Sequence, residues 1–128
     1  MILDTSAVVA MVLHEDEADD LFKRISRAPQ LAIGAPTLVE TTVVLVGRFG
    51  IPGHTALTTF LQEREAITVP FDDRHWCAAE EAFICFGKGR HPAGLNLGDC
   101  MSYATARIAK EPLLFTGNDF ARTDIAPA

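Results

Sequence analysis

Paired cysteines are missing from this 128-residue chain. Cys77, Cys85 and Cys100 are odd in number, form no C-x-x-C and have no histidine at a zinc-set spacing. That excludes a disulfide framework and a zinc module. It leaves reduced thiols, expected to be buried. Long apolar runs are missing as well. No stretch approaches the ~20 apolar residues of a membrane span, and the start lacks the basic region of a secretory signal. A cytoplasmic protein without a membrane segment is the expectation. Basic charge is in deficit: 11 Lys and Arg stand against 17 Asp and Glu, for a net charge of −6. Proteins that hold nucleic acid by general phosphate contacts need a basic footprint. The balance here suits a basic partner, or cations held by acidic groups. Aromatic residues are only 8% of the chain, too few to spell out a base-reading surface. Internal repeats, low-complexity tracts and linkers are absent.

What is present is the composition of one ordinary globular domain, spanning residues 1–128, with 48% hydrophobic and 22% charged residues. The first six residues, Met-Ile-Leu-Asp-Thr-Ser, are the most informative. Ile2 and Leu3 are apolar and β-prone, and a helical pattern follows from Ala7 to Leu13. Asp4 therefore reads as a carboxylate at the end of a short strand. A second helical segment opens on the acids Glu15 to Asp20 and closes on Lys23, Arg24 and Arg27, an order that suits the helix dipole. Leu31 to Ala35 reads as a second strand. A helix from Pro36 or Thr37 to about Phe49 is apolar on nearly every side, which places it in the interior or at an oligomer interface. Pro52-Gly53 marks a turn, and a helix is expected at 54–65. Ile67 to Phe71 is a third strand. Asp72 caps a helix over about 73–86. Residues 87–94 form a basic, glycine-containing loop with Lys88 and Arg90, a surface turn or a contact for phosphates. Asn96 caps a helix from Leu97 to Lys110, Leu113 to Thr116 is a fourth strand, and Ile125 adds a last edge strand. Strands alternating with helices in this way predict an α/β fold with a mainly parallel sheet of four or five strands covered on both faces.

Four acids stand where helices or turns follow strands and loops: Asp4, Glu40, Asp99 and Asp119. Three have local explanations. Thr37-Leu38-Val39-Glu40 fits a capping box, Asp99 sits three residues after Asn96, and Asp119 can satisfy turn amides. Asp4 does not, because a charge directly after an apolar central strand must be offset. In open parallel sheets ligands bind at the carboxyl ends of strands. If the first and fourth strands are neighbours, the four acids converge there. Two unit charges ~4 Å apart repel by about 4 kcal/mol at an effective dielectric of about 20. Such a cluster needs a cation or must take up protons. Mg²⁺ or Mn²⁺, which prefers carboxylate and water oxygens, answers that need and is suited to phosphodiester hydrolysis.

At this point the chain resembles the PIN-domain ribonucleases, specifically the VapC-type toxins of bacterial toxin–antitoxin pairs. The carriers are residues 1–6, Ala-Pro-Thr-Leu-Val-Glu at 35–40, Leu-Asn-Leu-Gly-Asp-Cys at 95–100 and Leu-Leu-Phe-Thr-Gly-Asn-Asp-Phe at 113–120. Their order and spacing span the whole chain. The resemblance implies an α/β/α sandwich, Mg²⁺ or Mn²⁺ dependence, endonucleolytic cleavage of RNA, a VapB-type antitoxin and a homodimer. It implies that Asp4 and Asp99 are metal ligands, that Glu40 completes the site and that Asp119 is its last acid. In many relatives the residue after Thr-x is itself acidic. Here it is Asn118, with Asp119 next. Ser6, Thr116 and Asn118 are the expected polar supports of the acids or of a metal-held water. Two rivals stand beside this reading. A receiver or aspartyl-phosphate domain shares a carboxylate after its first strand, but Ser6 occupies the place of the second acid, and no lysine follows the fourth strand. A non-catalytic domain of the same fold would bind a partner through its apolar helices.

Overall fold

The computed structural model describes all 128 residues. The elements run β1 Ile2–Leu3, α1 Thr5–Val12, α2 Ala18–Ile25, β2 Ala32–Gly34, α3 Ala35–Phe49, α4 Ile51–Glu63, β3 Ile67–Val69, α5 Asp73–Phe86, α6 Leu97–Ala109 and β4 Leu113–Leu114. A short 3-10 turn follows at Phe120–Arg122. The sheet has four strands in the order β3-β2-β1-β4, all parallel. The predicted alternation of elements is therefore present.

Each strand is only two or three residues long, and side-chain alternation still sorts them onto two faces. Leu3, Ile33 and Leu114 join a core built with α1, α2, α3 and α4, including Met11, Leu21, Leu45, Leu57 and Phe60. Ile2, Ala32 and Leu113 join a second core with α5 and α6, including Ala82, Cys100, Tyr103 and Ala106. Two cores on opposite faces of one sheet make the three-layer α/β/α sandwich. No helix is long and apolar enough to cross a membrane.

The topology reverses at β1. The chain builds outward from β1 to β2 to β3, then crosses back to place β4 on the other side of β1. At such a reversal point, here between β1 and β4, ligands bind in a crevice at the strands' carboxyl ends.

Several expectations are corrected. The C-terminal segment meets the sheet through a single bridge between Leu113 and Pro127, so Ile125 forms no strand. Pro52 and Gly53 lie in the first turn of α4, where a missing proline amide costs nothing. Only Cys100 is buried, whereas Cys77 and Cys85 are exposed on α5. Helix α3 is not an interior helix: Leu45 is buried, but Val39, Val43, Val46 and Phe49 are exposed. The acids Glu15 to Glu17 precede α2, whose first turn carries only Asp19 and Asp20.

Candidate active site

Asp4 follows β1 directly and is the N-cap of α1. It is 5% exposed, the only acid in the buried set. Its Oδ2 accepts from the Ser6 amide at 2.9 Å and the Ser6 hydroxyl at 2.6 Å. Its backbone amide donates to Leu114 of β4 at 3.0 Å. Ser6 Oγ in turn accepts from the Thr116 amide at 3.1 Å. One serine thus ties the carboxylate after β1 to the segment after β4.

Glu40 reaches the same place from α3. The capping-box reading of Thr37 and Glu40 is overturned, because α3 begins at Ala35 with Gly34 as its N-cap and no side chain caps it. Thr37 is already inside the helix, with its hydroxyl 3.0 Å from Ser102 Oγ on α6. Glu40 therefore sits in the second turn, released from any capping duty. Its Oε2 accepts from Thr5 Oγ1 at 2.7 Å.

Asp99 comes from the first turn of α6. Here the capping box is real: Asp99 N donates to Asn96 Oδ1 at 3.0 Å, and Asn96 N to Asp99 Oδ2 at 2.8 Å. That local duty occupies one oxygen only. Asp119 is exposed and caps the 3-10 turn by its backbone, with no side-chain cap bond, so the turn-amide explanation does not apply. Asn118 is exposed beside it.

Electrostatics link the four. The Asp99 carboxyl is pushed up from 3.8 to about 6, chiefly by burial, then by the charges of Asp4, Asp119 and Glu40, against the lowering effect of the Asn96 amide. None of the four acids forms an ion pair. Asp4, Glu40 and Asp99 line one cavity of about 310 Å³ together with Ser6 and Thr116. Lys88 and Arg90 lie outside that lining, and the Arg90 guanidinium rests 5.8 Å from the centre of the Phe83 ring. A roomier groove of about 420 Å³ between α5 and α6 is apolar apart from Glu80 and holds none of this chemistry.

The donor set suits a hard divalent cation. Asp4, Glu40 and Asp99 each commit one oxygen to the protein and leave the other without a protein donor. No three His, Cys, Asp or Glu side chains stand close enough to enclose an ion unaided. A cation that keeps several waters needs no such cage. Mg²⁺ in particular is commonly bound through one or two carboxylates.

Sequence reasoning misses three residues of this pocket. Glu15 and Arg48 line it, and Arg48 is its only Lys or Arg. Thr5 holds Glu40. Glu15 is indistinguishable in sequence from its acidic neighbours. Arg48 lies two turns of α3 beyond Glu40, a spacing that does signal a shared side of that helix.

Fold and site together define an open α/β/α protein with a carboxylate pocket at the switch point of its sheet. The family model described as PIN domain matches residues 1–126. A "Ribonuclease VapC" of Mycolicibacterium smegmatis is 40% identical over 126 residues, covering 98% of both chains. "Ribonuclease VapC36" of Mycobacterium tuberculosis is 42% identical over 126 residues, covering 98% of this chain and 91% of its own. The chain belongs to the PIN-domain family and, within it, to the VapC ribonucleases. Solved structures share the fold at low identity. VapC20 of Mycobacterium tuberculosis, described as a sarcin–ricin loop cleaving toxin, superposes with a TM-score of 0.78 at 18% identity, over 99% of this chain and 97% of its own. VapBC2 from Rickettsia felis, bound to a fragment of promoter DNA, gives 0.78 at 15% identity, over 98% and 94%.

Proposed function

We propose that this protein is the endoribonuclease toxin of a toxin–antitoxin pair, acting as a single nuclease domain on RNA phosphodiester bonds. The observation that carries the reading is the set of three carboxylates, Asp4, Glu40 and Asp99, that line one pocket free of ion pairs, with Asp119 outside that lining, in a chain of the VapC family. Mg²⁺ or Mn²⁺ bound there supplies Lewis acidity toward the phosphate oxygens and acidifies water. Asp4 and Asp99, each with one carboxylate oxygen free of protein donors, would hold it. Glu40, fixed at Oε2 by Thr5, uses Oε1 to orient the attacking water and accept its proton as the new phosphorus–oxygen bond forms and the bond to the leaving ribose oxygen breaks, that oxygen taking a proton from water. Asp119 acts on the site through its charge, which bears on Asp99, whereas the neutral Asn118 beside it serves as a polar support. Ser6 and Thr116 keep Asp4 aimed.

Arg48 is the cation inside the pocket, so it meets a phosphate of the bound strand. Lys88 and Arg90 serve phosphates farther along. A VapB-type antitoxin neutralises the toxin by covering the acidic pocket with a basic side chain. The exposed valines of α3 face a second copy of the chain in a homodimer.

The deciding experiment is exposure of total RNA to the purified protein with Mg²⁺ or Mn²⁺, with EDTA, and with Asp99→Asn, followed by mapping of the cut ends. Discrete cuts are expected only for the wild type with metal. Cleavage that persists through both chelation and substitution removes the mechanism. A folded protein that binds no metal by calorimetry and cuts nothing points instead to the partner-binding domain.

A further inference from the structure

Gly98 lies in the first turn of α6, between Leu97 and Asp99. Its backbone is not in the left-handed region, so no turn requires a glycine there, and helix propensity favours alanine. The reason for glycine lies across the cleft. A β-carbon added at position 98 would fall 2.6 Å from Glu40 Cδ and 2.7 Å from Glu40 Oε2, with Oε1 nearer still. The Glu40 carboxylate therefore stands over the bare α-carbon of Gly98.

The carboxylate is pinned from the other side by a chain of hydroxyls. Thr5 Oγ1 donates to Glu40 Oε2 at 2.7 Å, and Thr41 Oγ1 lies 3.1 Å behind Thr5 Oγ1. Thr41 is fully buried, and its Oγ1 lies 2.8 Å from Thr37 O. An anion resting on the first turn of a helix also gains from the positive end of the helix dipole.

We infer that Gly98 is a positioning residue: its missing side chain is the space in which the Glu40 carboxylate docks beside Asp99. This rests on the reading that Glu40 serves RNA hydrolysis. Any side chain at 98 displaces the tip of a flexible glutamate, which is cheap for folding and costly for chemistry. The same fact separates positioning from a structural role, because the two readouts move in different directions.

The test uses Gly98→Ala, Gly98→Ser, Glu40→Ala and the double variant Gly98→Ala/Glu40→Ala, each measured for melting temperature and metal-dependent RNA cleavage. Gly98→Ala keeps or raises the melting temperature, while kcat falls about 100-fold, the loss expected from a misplacement of about 1 Å. KM changes little, and Gly98→Ser behaves the same way. In the Glu40→Ala background, adding Gly98→Ala changes kcat by less than about 2-fold, because the group it displaces is gone. A metal-free crystal structure of Gly98→Ala shows the Glu40 carboxylate moved.

Wild-type kcat in Gly98→Ala, a full additional loss in the double variant, or failure of both position-98 variants to fold overturns the inference while leaving the nuclease reading intact. A wild type that cuts no RNA with metal overturns the nuclease reading, and this inference with it.

Discussion

Asp99→Asn is expected to make the metal-free protein more stable while abolishing its activity. The magnitude follows from the site. The Asp99 carboxyl ionises at about 6 in the folded state against an ordinary 3.8, through burial and then the charges of Asp4, Asp119 and Glu40. A difference of about two pH units corresponds to roughly 3 kcal/mol at 1.36 kcal/mol each. Asp99 is only half-buried, and solvent screening brings this to about 1–2 kcal/mol. Because the folded state holds the proton more tightly, the destabilisation is absent below pH 3.8. It grows as pH rises and is fully present above about 6. Asparagine removes the charge and keeps an oxygen to accept from the Asn96 amide, so the α6 cap survives. Thermal melts in EDTA should place the variant about 3–8 °C above wild type at pH 7.5, with the gap shrinking to about a third of that by pH 4.5 and closing below pH 3.8. Adding Mn²⁺ should raise the wild type by mass action and narrow the gap. A variant that melts below wild type in EDTA at pH 7.5 would refute the reasoning, because Asp99 would then be a satisfied cap rather than one of a repelling group.

Three further outcomes are expected. Ser6→Ala removes the bond to Asp4 and the acceptor for the Thr116 amide; denaturant melts should show a loss of about 1–3 kcal/mol, and cleavage should drop about 10- to 100-fold. Arg48→Ala should raise KM for RNA with little change in kcat, and should reduce by about one the slope of log binding constant against log salt. Val43→Glu places a charge on the apolar face of α3, where Val43 is 66% exposed; sedimentation should show a dimeric wild type and a monomeric variant, both of unchanged helicity.

Much of the frame is legible in the amino-acid sequence. Apolar pairs bounded by glycine, proline and polar residues locate β1 and β4, and the acids at strand ends stand out because a charge after Leu3 has no surface excuse. Asn96 and Asp99 are legible as a cap because capping depends on a few neighbouring residues. Glu40 misleads for the same reason. Thr37 and Glu40 satisfy the local pattern of a capping box, but Ser102 from a distant helix engages the threonine and α3 begins two residues earlier. The exposed face of α3 is not legible, because its apolar residues look alike in sequence whether they pack inward, as Leu45 does, or outward, as Val43 does.

The sequence by itself determined the alternation of strands and helices and the carboxylates that follow them, since both rest on local physics: periodicity, caps and the cost of a charge at the end of an apolar strand. Only the tertiary structure decided that β4 lies against β1, that Ser6 bridges their ends, that Arg48 and Glu15 share the pocket, and that the bare backbone of Gly98 leaves room for Glu40. Those facts depend on distances between residues tens of positions apart. No local pattern encodes them, because packing of the two cores, rather than the identity of neighbours along the chain, sets which side chains meet.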